Sequence, residues 1–318
     1  MDPAGFCTQA RVLIVAGKGG VGKTTVTAAL ARMAAQAGLT TLIVEVEGKS
    51  GLGSAFGRAT PLTYEEVTLA PGGGPDGAAD VRARTLTPDD ALIEYLRDHG
   101  MKRVSKRLTS SGAIDVVATA VPGIKDILVL GKVKSLERSN SADLIILDAP
   151  AAGHAVTFLM SAHGLLDAVR VGPIRSQAQE VIELLTDASR CQILLVTLPE
   201  ETPVNEVVET AFKLEDRVGV SLVGVVVNGL YPEVDGLDAD PGDVPEAAEL
   251  RAAAAFRRAR HDLQVTQVAR LAEALPLPQI HLPFLFTTEV GPAEVDVLAR
   301  ALAESITRLP DPAVSTSS

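Results

Sequence analysis

The chain has 318 residues, 47% of them hydrophobic but only 3% aromatic, so a buried core has to be assembled mainly from Ala, Val, Leu and Ile. A formal net charge of -11 argues against a nucleic-acid-binding surface as the main interface, and the two cysteines, Cys7 and Cys191, form no Cys-x-x-Cys pair, so neither a structural zinc site nor a disulfide framework is predicted. The N-terminus lacks the regions of a signal peptide and no apolar run reaches the length of a membrane span, which leads to the expectation of a cytoplasmic protein.

Val12–Ala16 is an aliphatic run ending at glycine and reads as a buried strand. The Ala-rich segment from Thr24 to about Ala37 predicts a helix stopped by Gly38. Thr41–Val46 predicts a second strand, followed by a glycine-rich connection from Gly48 to Gly57. Val67–Leu69 and Val81–Thr85 flank Pro71–Gly77 and predict a hairpin at the sheet edge with a flexible tip. Thr87-Pro88-Asp89-Asp90 carries a helix start: Thr to cap, Pro in the first position, acids in the first turn. Helical segments are expected from there to about Arg138, broken near Gly100, Gly112 and Pro122. Strands at Leu144–Leu147, Ile193–Leu198, Leu222–Val227 and Ile280–Leu282 then alternate with helices at about Gln177–Ala188, Val204–Leu214 and Glu246–Ala274, before a last helix at about Pro292–Arg308.

This alternation implies right-handed crossovers and an α/β fold with a doubly wound, mostly parallel sheet and helices on both faces. One domain is expected over residues 1–309, with a helical insertion at about 88–138 and a flexible tail at 310–318. The acidic loop Glu233–Glu246 is expected to be solvated and poorly ordered.

Gly17-Lys18-Gly19-Gly20-Val21-Gly22-Lys23-Thr24 matches the Walker A pattern in full, with an aliphatic strand before it and a helix after it. Small residues let the backbone curl so that successive N–H groups face phosphate oxygens, and the helix N-terminus adds its dipole. In this reading ATP or ADP sits on Gly19–Thr25. Lys23 reaches the β- and γ-phosphates, the Thr24 hydroxyl meets Mg²⁺, and Thr25 stands near the α-phosphate. Leu144–Asp148 is a buried strand ending in a carboxylate, as a Walker B acid requires for holding a water on Mg²⁺. It is followed by Ala149-Pro150-Ala151-Ala152-Gly153-His154, in which a glycine can report the γ-phosphate and His154 is expected to hydrogen-bond within a switch.

Lys18–Thr24 together with Asp148–His154 resembles the arsenite-pump and tail-anchored-protein-targeting ATPases, a family with a deviant Walker A loop, and in particular its actinobacterial single-domain form. The resemblance implies that Lys18 reaches the nucleotide of a second subunit and supplies charge in trans, as an arginine finger does. It further implies that Asn228 contacts adenine and that the loop from His281 through Pro283 and Phe284 covers the base. Pro199–Pro203 resembles the family's Pro-Glu element. The family's water-positioning Asp corresponds to Glu47 within Val44–Lys49, and the longer side chain predicts slow hydrolysis.

With one P-loop, the chain is expected to complete its site with a second subunit, identical or paralogous. Its nucleotide state would control a client, hydrophobic or membrane-derived, on the helices of 88–138, where Ile114–Val121 and Ile124–Leu130 either line a groove or are packed core. Two isolated cysteines do not reproduce a soft metalloid site, so arsenite and zinc are not expected ligands. Two other readings stand beside this one. A partitioning-type ATPase would bind DNA or membrane; the local basic cluster Lys102, Arg103, Lys106 and Arg107 is its only support, and the acidic last helix argues against an anionic-membrane anchor. A small-molecule P-loop kinase would leave Lys18 unexplained.

Overall fold

The computed structural model describes residues 1–46, 51–74, 77–98, 100–103, 105–106, 123–242 and 244–310. Eight strands form one sheet in the order β3-β4-β2-β5-β1-β6-β7-β8. They span Val12–Gly17 (β1), Thr41–Val46 (β2), Val67–Ala70 (β3), Val81–Leu86 (β4), Leu144–Ala151 (β5), Cys191–Thr197 (β6), Ser221–Leu230 (β7) and Gln279–Pro283 (β8). All neighbours are parallel except β3 with β4, the hairpin expected at the edge. β1 is buried along its whole length because it is flanked by strands on both sides and covered on both faces, which is why its sequence is continuously aliphatic.

The described helices are Pro3–Cys7 (α1), Lys23–Gln36 (α2), Gly51–Ala55 (α3), Pro88–Asp98 (α4), Ile124–Arg138 (α5), Ala152–Ala168 (α6), Pro173–Thr186 (α7), Glu201–Val218 (α8), Ala247–Ala274 (α9) and Pro292–Thr307 (α10). One face of the sheet carries α2, α10 and α1, packed on Leu13, Val15, Ile43 and Ile146. The other carries α5, α6, α7 and α8, packed on Val12, Ile14, Val44 and Leu147. The sheet is doubly wound as its sequence pattern implies.

Two local expectations change and one open reading is decided. The connection from Gly48 to Gly57 contains the short helix α3. The helical stretch over 88–138 ends in α5, whose Ile127, Leu130 and Val133 are core residues of the sheet layer; Ile124–Leu130 is therefore packed interior and not a groove, while Ile114–Val121 lies outside the described residues. The acidic loop after β7 is exposed, but it is tied to α9 by Arg251–Asp240 at 2.8 Å and Arg258–Asp238 at 3.1 Å instead of standing free. The tail beyond Pro310 is also outside the described residues, as is Arg107, while Lys102, Arg103 and Lys106 are exposed.

Ile146 in β5 is fully buried against α2. Ile146→Ala is expected to destabilise the fold by about 2–5 kcal/mol, through lost transfer energy and the cavity left behind. Phe256→Ser, on the exposed side of α9, should stay within about 0.5 kcal/mol of the parent. Urea unfolding midpoints at matched m-values check both.

Candidate functional site: the loop between β1 and α2

In open α/β sheets ligands bind beyond the carboxyl ends of the strands, where the strand order reverses. Here that point is β1, which has β5 on one side and β6 on the other. The P-loop leaves β1 at this place. A Cβ on Gly17 would lie 2.3 Å from the Val196 carbonyl oxygen of β6, so only glycine lets the strand run this close before it turns. Gly22 caps α2 with φ +88°, and a Cβ there would lie 2.3 Å from the Asn228 amide nitrogen. Asn228, at the end of β7, occupies that space and donates from Nδ2 to the Val21 carbonyl at 2.9 Å. The side chain therefore braces the loop, and it does so at the rim where the resemblance places the base.

The two loop lysines point in different directions. Lys23 is buried and its ammonium donates to the Lys18 carbonyl at 2.9 Å, inside the turn. The Lys18 side chain leaves the loop and pairs with Glu206 of α8 at 2.7 Å. That pair borders an open groove of about 670 Å³ between α6 and α8, with Gly19, Val156, Met160 and Lys213 also on its walls. Glu206 was not recognisable from sequence, because its partner lies 188 residues away.

Thr24 opens the first turn of α2 and donates its hydroxyl to Asp148 Oδ2 at 2.7 Å. Asp148 is fully buried at the end of β5. The pair brings together the two oxygens expected of a Mg²⁺ site. Hard oxygen ligands of one hydroxyl and one carboxylate fit that ion, which normally takes one or two protein carboxylates, with phosphates and water completing its shell. Among the described residues no group of three or more His, Cys, Asp or Glu side chains converges as an all-protein metal cage would need. Gly19 and Gly20 lie on the exposed part of the loop, and Thr25 is half-buried in the first turn of α2. Glu47 and Lys49 lie outside the described residues. His154 is exposed at the start of α6, near Asp126 of α5, whose carboxyl is pushed above the usual range by burial and pulled back in part by the histidine.

Pro283 and Phe284 leave β8 beside Asn228's strand, and the Phe284 amide donates to the Leu230 carbonyl at 2.7 Å. Phe284 belongs to a ring cluster with Tyr231 and Phe286, centroids 4.9 to 5.4 Å apart. The Arg257 guanidinium lies over Tyr231 at 4.5 Å and over Phe286 at 4.8 Å. Gln264 of α9 accepts from the Tyr231 amide and donates to the Gly229 carbonyl, tying this corner to the end of β7. Tyr231, Phe286 and Arg257 carried no motif, and only the packing of α9 on β7 assembles them. A further unrecognised acid, Glu45, is buried at the end of β2, directly beside Asp148 in the strand register.

Cys7 and Cys191 lie on opposite faces of the sheet, and burial pushes each thiol up to about 12. Neither is expected to react with a thiol reagent at pH 8 until the chain is unfolded; fast labelling of native protein, read by mass spectrometry, would contradict the burial. Asn228→Ala removes the brace on Val21 and should weaken nucleotide binding several-fold while lowering stability by about 1 kcal/mol. Calorimetric titration with ADP and urea unfolding measure the two effects.

The sequence profile of a family described as Anion-transporting ATPase matches residues 10–170, a span that contains the P-loop, Asp148 and α6. ATPase BagA of Mycobacterium tuberculosis is 30% identical, over 86% of this chain and 87% of that protein. Arsenical pump-driving ATPases of Acidiphilium multivorum and Escherichia coli are 26% and 27% identical over 70% and 69% of this chain, but over only 40% and 39% of their own lengths. With its Walker A loop on the strand that the fold requires, and a buried acid held by the loop's own threonine, the chain belongs to the anion-transporting ATPase family and is an ATPase.

Proposed function

We propose that this ATPase is a magnesium-dependent, dimeric nucleotide switch. The observation that carries the reading is the divergence of Lys18 from Lys23. A lysine meant for the loop's own phosphates would point into the turn, as Lys23 does. Lys18 instead projects to an open groove, where a second subunit's nucleotide is within its chemistry. Some relatives are named for arsenical pumps; the two thiols on opposite sheet faces give no reason to carry that substrate to this chain.

In this reading the backbone amides of Gly19–Thr25 bind the phosphates of ATP, and Lys23 neutralises their inner oxygens. Thr24 and Asp148 hold the hydrated cation, which when bound offsets charge building up on the phosphates. Glu47 orients the attacking water. Lys18 of each subunit crosses to its neighbour, so hydrolysis depends on the closed dimer. Asp148 passes directly into α6, which packs against α5, α7 and α8. A change at the γ-phosphate is thus transmitted to the helical face, where a client or partner reads it. The acidity of the chain and the solvated setting of Lys102, Arg103 and Lys106 favour this reading over nucleic-acid partitioning.

Molar mass by light scattering, with Mg²⁺, ADP and aluminium fluoride against a nucleotide-free control, is the direct test. Monomer should become dimer, and Lys18→Ala should abolish the change. Glu206→Gln releases Lys18 from its pair within the subunit. Half-exposed ion pairs are worth about 0–1 kcal/mol, so this variant should strengthen dimerisation by about fivefold at most. Wild-type protein that stays monomeric, or a Lys18→Ala protein that dimerises normally, would sink the self-sufficient switch.

A further inference from the structure

Glu45 is 2% exposed in a strand whose other buried residues, Thr41, Leu42, Ile43 and Val44, carry no charge. A carboxylate is expensive to bury, so one that stays there needs a reason. Side chains alternate along a strand, which puts Glu45 on the face of Ile43, and Asp148 on the face of Ile146. Both isoleucines pack beneath α2, so both acids lie on the face of the sheet that α2 covers. The parallel register places Glu45 directly opposite Asp148 on one side and Thr85 on the other. Neighbouring strands stand about 4.8 Å apart. Thr85 donates its hydroxyl to Glu45 Oε1 at 3.2 Å, and Thr24 donates its own to Asp148 Oδ2 at 2.7 Å. Across the carboxyl ends of β4, β2 and β5, then into α2, the order is Thr85, Glu45, Asp148, Thr24.

Two carboxylates side by side in a buried position repel each other, and a shared cation turns that repulsion into attraction. Glutamate extends one methylene farther above the strand than aspartate. Asp148 is engaged by the loop threonine, and Glu45 accepts from Thr85 on its other side through one oxygen. We propose that Glu45 is a second acid of the metal–nucleotide site, a positioning residue that acts on the cation's bound water and raises the site's affinity for Mg²⁺. The inference rests on the magnesium reading given above. The competing role is local: Glu45 as a buttress that fixes Thr85 and the edge of the sheet.

The two roles separate when metal affinity is measured apart from turnover. Binding of a fluorescent N-methylanthraniloyl-ADP is followed while Mg²⁺ is titrated, for wild type, Glu45→Gln and Thr85→Val. Glutamine keeps the size and the acceptor for Thr85 but removes the charge. Glu45→Gln should require about tenfold more Mg²⁺ for half-maximal binding, in line with the effect of losing a group just outside a metal's own ligands. Its nucleotide binding in EDTA should be unchanged. In EDTA it should melt at the wild-type temperature or above, since a buried charge is gone. Thr85→Val should shift the Mg²⁺ midpoint less, in the same direction, and stands in if Glu45→Gln does not fold. Unaltered Mg²⁺ titrations in the variants overturn the proposal, as does a loss of binding in EDTA equal to the loss in Mg²⁺. A wild-type protein indifferent to Mg²⁺ overturns the magnesium reading beneath it, and is told apart by needing no variant.

Discussion

The close approach of β1 to β6 at Gly17 governs much of what surrounds it. With the Val196 carbonyl only 2.3 Å from where a Cβ would stand, the strand stays hydrogen-bonded to its neighbour up to its last residue. The chain must then reverse into α2 within a few residues. That reversal turns backbone N–H groups toward the space beyond the sheet and sets the helix axis over the same space. It also lowers Thr24 onto Asp148, because β5 is the other neighbour of β1. A bulkier residue at Gly17 would separate β1 from β6 and disturb the loop, the metal-side acid and the brace from Asn228 together.

Charge is distributed around this turn so that each group has a different task. Lys23 is held within the loop and Lys18 outside it. On the other side of the loop, Asp148 and Glu45 concentrate negative charge in a part of the protein that excludes water. In the function proposed above, a nucleotide with its cation would complement both sides at once: phosphates against the lysine and the helix N-terminus, cation against the acids. Helices α6 and α8 form the groove that Lys18 borders.

The α9 corner follows a separate logic. This helix runs from Ala247 to Ala274 but buries only Ala247, Gln264, Gln267 and Leu271. It is held by polar and aromatic contacts: the Gln264 clamp on Gly229 and Tyr231, Arg257 between two rings, and Arg260 with Glu200 at the start of α8. The end of β7, the loop after β8 and the start of α8 thereby share one support. In sequence these three places resemble the family's adenine-contacting Asn, the loop that covers the base and the Pro-Glu element.

The alternation of aliphatic runs with Ala-rich helices was enough to read a doubly wound sheet, since strands buried on both faces leave no other pattern. The P-loop was legible for the same local reason: its glycines, its lysine and its threonine act within one turn of backbone. Asp148 was readable as a candidate from the aliphatic run Leu144–Leu147 before it together with the Ala149–His154 segment after it. The length of strand and helix and the order of both follow from neighbours in the chain. What pairs across the fold does not. That Glu45 stands beside Asp148 depends on which strand lies next to which and in what register; that Lys18 meets Glu206 depends on how α8 packs over the sheet. Likewise α5 read in sequence as the end of a helical insertion over about 88–138; that its apolar residues join the main core depends on its packing against α6 and α7. Local conformational preference and hydrophobic period are written residue by residue, whereas the partners of a buried charge are chosen when distant segments are brought together.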